Sequence, residues 1–336
     1  MIKKLIDEGE DPQAMKEVMM YPGAIALIKV LAGVVEGEKV LILTDFQTES
    51  IAKTLATVTY SLGAEPITMS MPPRKGHGDA LPDPVAAAMK EVDVVIAPTT
   101  YNIAHTNARH EAQAAGARVL VLPESHDNIL LSKGLQADFI SLRPQVEQVA
   151  NLLTTGDVVR VTTSQGTDLR LSIKGREGRA LTGFANTKDI SAVHCIESSI
   201  APVEGSAEGV LVVDGSIPGV GLIDIPVVVE FKRGKAVSIT GGKEADLFKK
   251  ILIERNDEDG NIYHAGEFGI GMNPECELEN SMLSDEGVFG TIHVALGTNA
   301  YIGGVIKAKG HYDMVVKDAM VEIDGVTILR NNELYL

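Results

Sequence analysis

The chain has 336 residues, enough for about two domains, and its 45% apolar and 23% charged side chains exclude disorder and predict globular cores. Thirty Lys and Arg against 46 Asp and Glu leave a net charge of −16, a field that repels polyanions and argues against general nucleic-acid binding and attraction to an anionic membrane. Two cysteines, Cys195 and Cys276, are too few for a disulfide framework and suit a reducing compartment.

The first residues, MIKKLIDEGEDPQ, carry charges where a signal peptide would need an apolar run. The apolar stretch from Pro22 to Val35 is broken by Lys29 and is too short to span a bilayer. A soluble, cytoplasmic protein with no membrane partner is the expectation. Lys39 to Thr44 is a short apolar run, as in a strand buried on both faces, and it ends at Asp45. Ile51, Leu55, Val58 and Leu62 then keep helical spacing up to Gly63. Strands are expected at Pro66 to Ser70, Val92 to Ala97 and Arg118 to Leu122, with a surface loop from Met71 to Pro84 and a helical pattern ending at Ala115. This alternation predicts an N-terminal parallel α/β, Rossmann-like domain over residues 1–150. No G-x-G-x-x-G follows the first strand, so a dinucleotide site lacks its fingerprint. Asp45 and Thr99, at strand ends, either line a crevice or cap helices.

The texture changes past a boundary near residues 140–155. Val158 to Thr163 and Asp168 to Ile173 alternate apolar and polar residues around a Ser-Gln-Gly-Thr hairpin. Further strands are expected at Gly209 to Val213, Pro226 to Phe231 and Ala236 to Ile239, with one helix from Glu244 to Glu254. Residues 151–336 thus read as a β-rich α+β domain, and metal-ligand residue types concentrate there.

His293 sits inside the apolar run GTIHVALG. His311 and Asp313, two residues apart, would share one face of a strand. Glu267 is a charge among glycines and apolar residues in AGEFGIGMNP, and a buried carboxylate there needs a cation. Glu197 precedes an apolar turn. Each has an ordinary alternative: a hydrogen-bonded core histidine, a solvated strand face, a capping or lysine-paired glutamate. Together they are five potential ligands, more than a single open zinc site uses, and they fit a two-metal site with a bridging carboxylate. No HExxH or CxxC signature accompanies them.

The stretches ESSIAPVEGSAEG (197–209), GEFGIGMNP (266–274), GTIHVALG (290–297) and GHYD (310–313) resemble, in order, the aminopeptidase T family of metallopeptidases. That resemblance implies a homodimeric metal-dependent aminopeptidase acting on a small peptide or amide. It implies two divalent metal ions (zinc, cobalt or manganese) on Glu197, Glu267, His293, His311 and Asp313. Glu197 would shuttle a proton to the leaving amine, and Tyr301 would assist at the oxyanion. The same fold family includes 2,5-dihydroxypyridine 5,6-dioxygenase, a ring-opening enzyme with one ferrous ion on two histidines and an aspartate. His311 and Asp313 match two of those ligands. Glu267 stands where the dioxygenase has its remaining histidine, with His264 as a substitute iron ligand. Glu197 and His293 stand where that enzyme has apolar residues. The resemblance therefore implies the two-metal hydrolase, with the iron-dependent dioxygenase as the alternative.

Overall fold

The structure is a computed structural model and describes residues 12–123, 125, 128–188, 190–256 and 259–336. Most of the charged opening segment therefore lies outside the described residues. The chain forms two compact units, one of Met1–Phe139 with Gly183–Val193, the other of Ile140–Thr182 with His194–Leu336.

The first unit is built on a parallel four-stranded sheet. Helix α1 (Pro12–Ile25) continues into one π turn, Ala26–Leu31, so the apolar stretch around Lys29 is helical. Strand β1 (Lys39–Asp45), helix α2 (Glu49–Ser61), β2 (Glu65–Met71), α3 (Asp83–Met89), β3 (Val94–Pro98), α4 (Asn107–Ala114) and β4 (Arg118–Leu122) follow. The strand order is β2-β1-β3-β4, all parallel, as the α/β alternation requires. Leu41, Ile42, Leu43, Val95 and Ile96 are fully buried, which explains why these strands read as unbroken apolar runs.

At the end of β1 the Asp45 carboxylate accepts from the Thr100 amide (2.7 Å), the Thr100 hydroxyl (2.9 Å) and the Gln47 amide (3.0 Å). Its acceptors are occupied in tying two strand ends together, and the N-cap of α2 is Thr48, so Asp45 does not cap that helix. Thr99 likewise donates its hydroxyl to the Tyr101 carbonyl.

In the second unit, the stretch read as a passage between domains is helix α5 (Phe139–Thr155). Val146, Val149, Ala150 and Leu153 are its buried stripe. Then come β5 (Val158–Thr162), β6 (Asp168–Ser172), β7 (Arg179–Leu181), β8 (Glu197–Ile200), β9 (Glu208–Val213), β10 (Ser216–Ile217), β11 (Gly221–Leu222), β12 (Val227–Lys232) and β13 (Lys235–Thr240). Helix α6 (Lys243–Arg255), β14 (Ala265–Gly271), the short α7 (Met282–Asp285), β15 (Ile292–Gly297), β16 (His311–Val316), β17 (Met320–Ile323), β18 (Val326–Arg330) and β19 (Glu333–Leu334) complete it. One antiparallel sheet has eight strands in the order β13-β12-β9-β6-β5-β17-β18-β19. A second has five, β16-β15-β14-β8-β7, and also pairs antiparallel throughout. The fold class is thus mixed α/β, a parallel sheet with helices plus β-rich antiparallel sheets. No helix among the described residues is long and apolar enough to cross a membrane.

Candidate metal centre

The five-stranded sheet decides where the ligand-type residues go. Directly paired residues project to the same side of a sheet, and so do residues two apart on one strand. Glu267 pairs with Ala295, and Ala295 with Asp313. Gly269 pairs with Ser199 and His293, and Gly271 with Glu197. His311 lies two residues from Asp313. Register therefore puts Glu197, Glu267, His293, His311 and Asp313 on one face, although they come from four strands. The opposite face of β14 carries Phe268 and Ile270, both fully buried. The alternation in AGEFGIG is the local cause: apolar residues anchor one side, while Glu267 and two glycines leave the other open.

Glu267, His311 and Asp313 form one group with ligand atoms within 4.8 Å of one another; Glu197, Glu267 and His293 form a second. Glu267 belongs to both. His311 Nε2 lies 3.0 Å from Glu267 Oε2 and 3.3 Å from Asp313 Oδ1. Its Nδ1 is 2.8 Å from the Thr298 carbonyl oxygen. A carbonyl only accepts, so Nδ1 carries the hydrogen and Nε2 is the atom offered to the two carboxylates. An imidazole held this way by its far nitrogen is the usual support of a metal-binding histidine. His293, 1% exposed, has Nε2 3.4 Å from Glu197 Oε2. Its Nδ1 is buried without a hydrogen-bond partner.

The electrostatics favour a cation at this place. Burial pushes the Glu197 carboxyl up to about 7; His293 opposes this, while the charges of Glu267 and Asp313 add to it. Burial would also raise Glu267 and Asp313, but their contacts with His311 outweigh it and hold both below the usual carboxylate range. Burial would lower His311; Tyr301, Asp313 and Glu267 together hold it well above the ordinary imidazole value. A proton on Nε2 is thus the positive charge that these carboxylates retain in the absence of metal, and a divalent ion bound by the same atoms would displace it. The donor set, carboxylates and imidazoles, suits iron, manganese, cobalt or zinc alike.

Tyr301 stands beside this group, its ring edge-on to His311 at a centroid distance of 5.6 Å, and is 40% exposed. The segment that carries it is held by Arg176, which bonds the Gly303 carbonyl and pairs with Glu204. Glu204 in turn accepts from the Val305 amide at 2.9 Å. His264, the substitute iron ligand considered from sequence, falls in none of the ligand groups among the described residues. Sequence reasoning also missed residues at the site. Cys195 donates its thiol to Glu286 (3.3 Å) and lies 3.7 Å from Glu197; the three form a further group of ligand types. Burial raises Cys195 and Glu286 well above their ordinary values, so both favour their neutral forms. Glu286 lies outside every stretch quoted above and is brought here only by the fold.

A family model described as NicX: 2,5-dihydroxypyridine 5,6-dioxygenase matches residues 28–335. No curated protein matches the chain. Among solved structures, the 2,5-dihydroxypyridine dioxygenase from Pseudomonas putida KT2440 is similar with a TM-score of 0.80 at 18% identity, over 97% of this chain and 98% of that one. Wild-type AmpT from Thermus thermophilus is similar with a TM-score of 0.67 at 17% identity, over 95% of this chain and 99% of that one. At such identities the likeness establishes the fold, and the chemistry has to be argued from the site.

Proposed function

The chain belongs to the 2,5-dihydroxypyridine 5,6-dioxygenase family, and from that premise we propose that it is a metal-dependent enzyme whose first reading is oxidative ring opening of a small hydroxylated aromatic molecule. The observation that carries this reading is the meeting of Glu267, His311 and Asp313 on one sheet face in a chain matched over residues 28–335. Three donors on one side leave the other positions of a metal open, the arrangement that non-haem iron oxygenases use with two histidines and one carboxylate. Here one imidazole and two carboxylates would supply it, with Glu267 in place of a second histidine, a donor set that admits iron without selecting it. The peptidase expected from sequence becomes the second reading.

Iron bound by these residues would supply the redox chemistry of dioxygen and a seat for a substrate hydroxyl. The chain's own residues do the rest. Glu267 and Asp313 fix His311 with Nε2 inward. Thr298 holds its Nδ1 hydrogen. Glu197, raised to about 7, can accept or release a proton at Oε2 beside His293 near neutral pH. Tyr301 stands at the rim, where its hydroxyl can meet a bound molecule.

The second reading, hydrolysis of a small amide or peptide through two metals, is favoured by one specific observation: Glu197 and His293 add a second donor group that shares Glu267 with the first. Parallel assays separate the two. Protein loaded with ferrous ion under nitrogen and then given oxygen should consume it with a hydroxylated pyridine or benzene, screened with and without a ring carboxyl group; protein loaded with zinc, cobalt or manganese is tested on aminoacyl amides. Oxygen uptake without amide hydrolysis supports the first reading, and the converse transfers the assignment to the second. The homodimer belongs to this proposal too, and light scattering tests it.

A further inference from the structure

Strand β7 is the edge of the five-stranded sheet and brings one cation to the face that carries the ligand groups. The register runs from Arg179 to Ser199, to Gly269 and to His293 across four strands. Arg179, Ser199 and His293 therefore project to the same side, Ser199 roughly 10 Å from His293 at strand spacing. Arg179 is part-exposed, and among the described residues no carboxylate lies within ion-pair distance of its guanidinium. The register alone sets it on the site's side of the sheet. Ser199 is 0% exposed, and its hydroxyl has no hydrogen-bond partner. A buried hydroxyl left without a partner is costly and rare. A guanidinium presents a planar fork of donors matched to a carboxylate, and the hydroxyl adds one donor more.

We propose that Arg179 and Ser199 bind a carboxylate carried by the substrate, so that the enzyme takes small molecules with an acidic group at the β7 end of the site. This rests on the reading of that face as a metal-dependent active site and adds the substrate's charge to it. The plain alternative is that Arg179 only balances Glu197 and Glu267. A counterion would affect metal retention; a carboxylate receptor discriminates between an acid and its amide.

The test is calorimetric titration of the metal-loaded protein with benzoate and with benzamide, alongside metal content. Benzoate should bind at least tenfold more tightly than benzamide. In Arg179→Gln the ratio should fall to about one with metal content unchanged, and in Ser199→Ala it should fall several-fold. Arg179→Lys, which keeps the charge and loses the fork, should fall between. Equal binding of the two probes by the wild type overturns the proposal. So does a wild-type ratio in Arg179→Gln, which would put the carboxylate on the metal. Loss of metal in Arg179→Gln with an unchanged ratio in Arg179→Lys and Ser199→Ala would establish the counterion role instead. Failure of every form to hold metal sinks the metal-enzyme reading, whereas the acid-to-amide ratio is still read on the same proteins.

Discussion

The imidazole of His293 lies across Gly269: a Cβ built on that glycine would stand 2.1 Å from His293 Nε2. The two residues are register partners on β15 and β14, so the missing side chain of one makes the space for the ring of the other. Gly269→Ala should therefore push His293 off its place while leaving Glu267, His311 and Asp313 on their strands. Overpacking of this kind costs about 1–3 kcal/mol. The expected outcome in urea denaturation is a loss of that size. The variant should also hold fewer divalent ions than the wild type wherever the wild type holds two per chain.

His194 is a buried histidine in the left-handed region, with φ 51°, its Nε2 3.1 Å from the Ser284 hydroxyl. Burial lowers it from 6.5 to about 4. Its folded value lies below its unfolded one, so the unfolded chain takes up a proton first as pH falls. The contribution is complete above about pH 6.5 and is lost between there and pH 4, roughly 3 kcal/mol in all. Asn tolerates the left-handed conformation and does not titrate. His194→Asn should lose less stability than the wild type between pH 7 and pH 4.5 in paired denaturation curves. Parallel losses in both proteins would contradict the assignment.

Arg176 joins Gly303 and Glu204, and Glu204 holds the Val305 amide, so one guanidinium fastens the segment that carries Tyr301. Arg176→Met keeps much of the stem and removes the charge. Amide exchange over residues 299–305 should speed up by at least tenfold in this variant, with β14 and β15 unaffected. Unchanged exchange would mean that the segment is fixed by other contacts.

Much of this site was legible because strand periodicity carries it. The two-residue spacing of His311 and Asp313, and a lone Glu267 among glycines, are readable wherever a strand is recognised. That Glu197 and His293 join them depends on register between strands far apart in sequence, which periodicity does not contain. Arg179 and Ser199 escaped notice for the same reason: three-residue β7 has no pattern of its own, and Ser199 reads as one more small polar residue. Helix α5 was hidden by Pro144, which drew attention to a boundary while Val146, Val149, Ala150 and Leu153 kept helical spacing. Asp45 shows the reverse case, a strand-end acid whose position suggests a ligand crevice and whose carboxylate is taken up by backbone and Thr100.

The site's central claim is that Glu267, His311 and Asp313 hold a divalent metal through His311 Nε2. It is tested most directly by measuring metal per chain, by plasma mass spectrometry after anaerobic loading with ferrous ion or zinc and desalting, in the wild type and in His311→Ala. Each sample's fold is checked by circular dichroism. At least one equivalent in the wild type, with affinity at least tenfold weaker in folded His311→Ala, is the predicted result. Wild-type metal content and affinity in folded His311→Ala would contradict it.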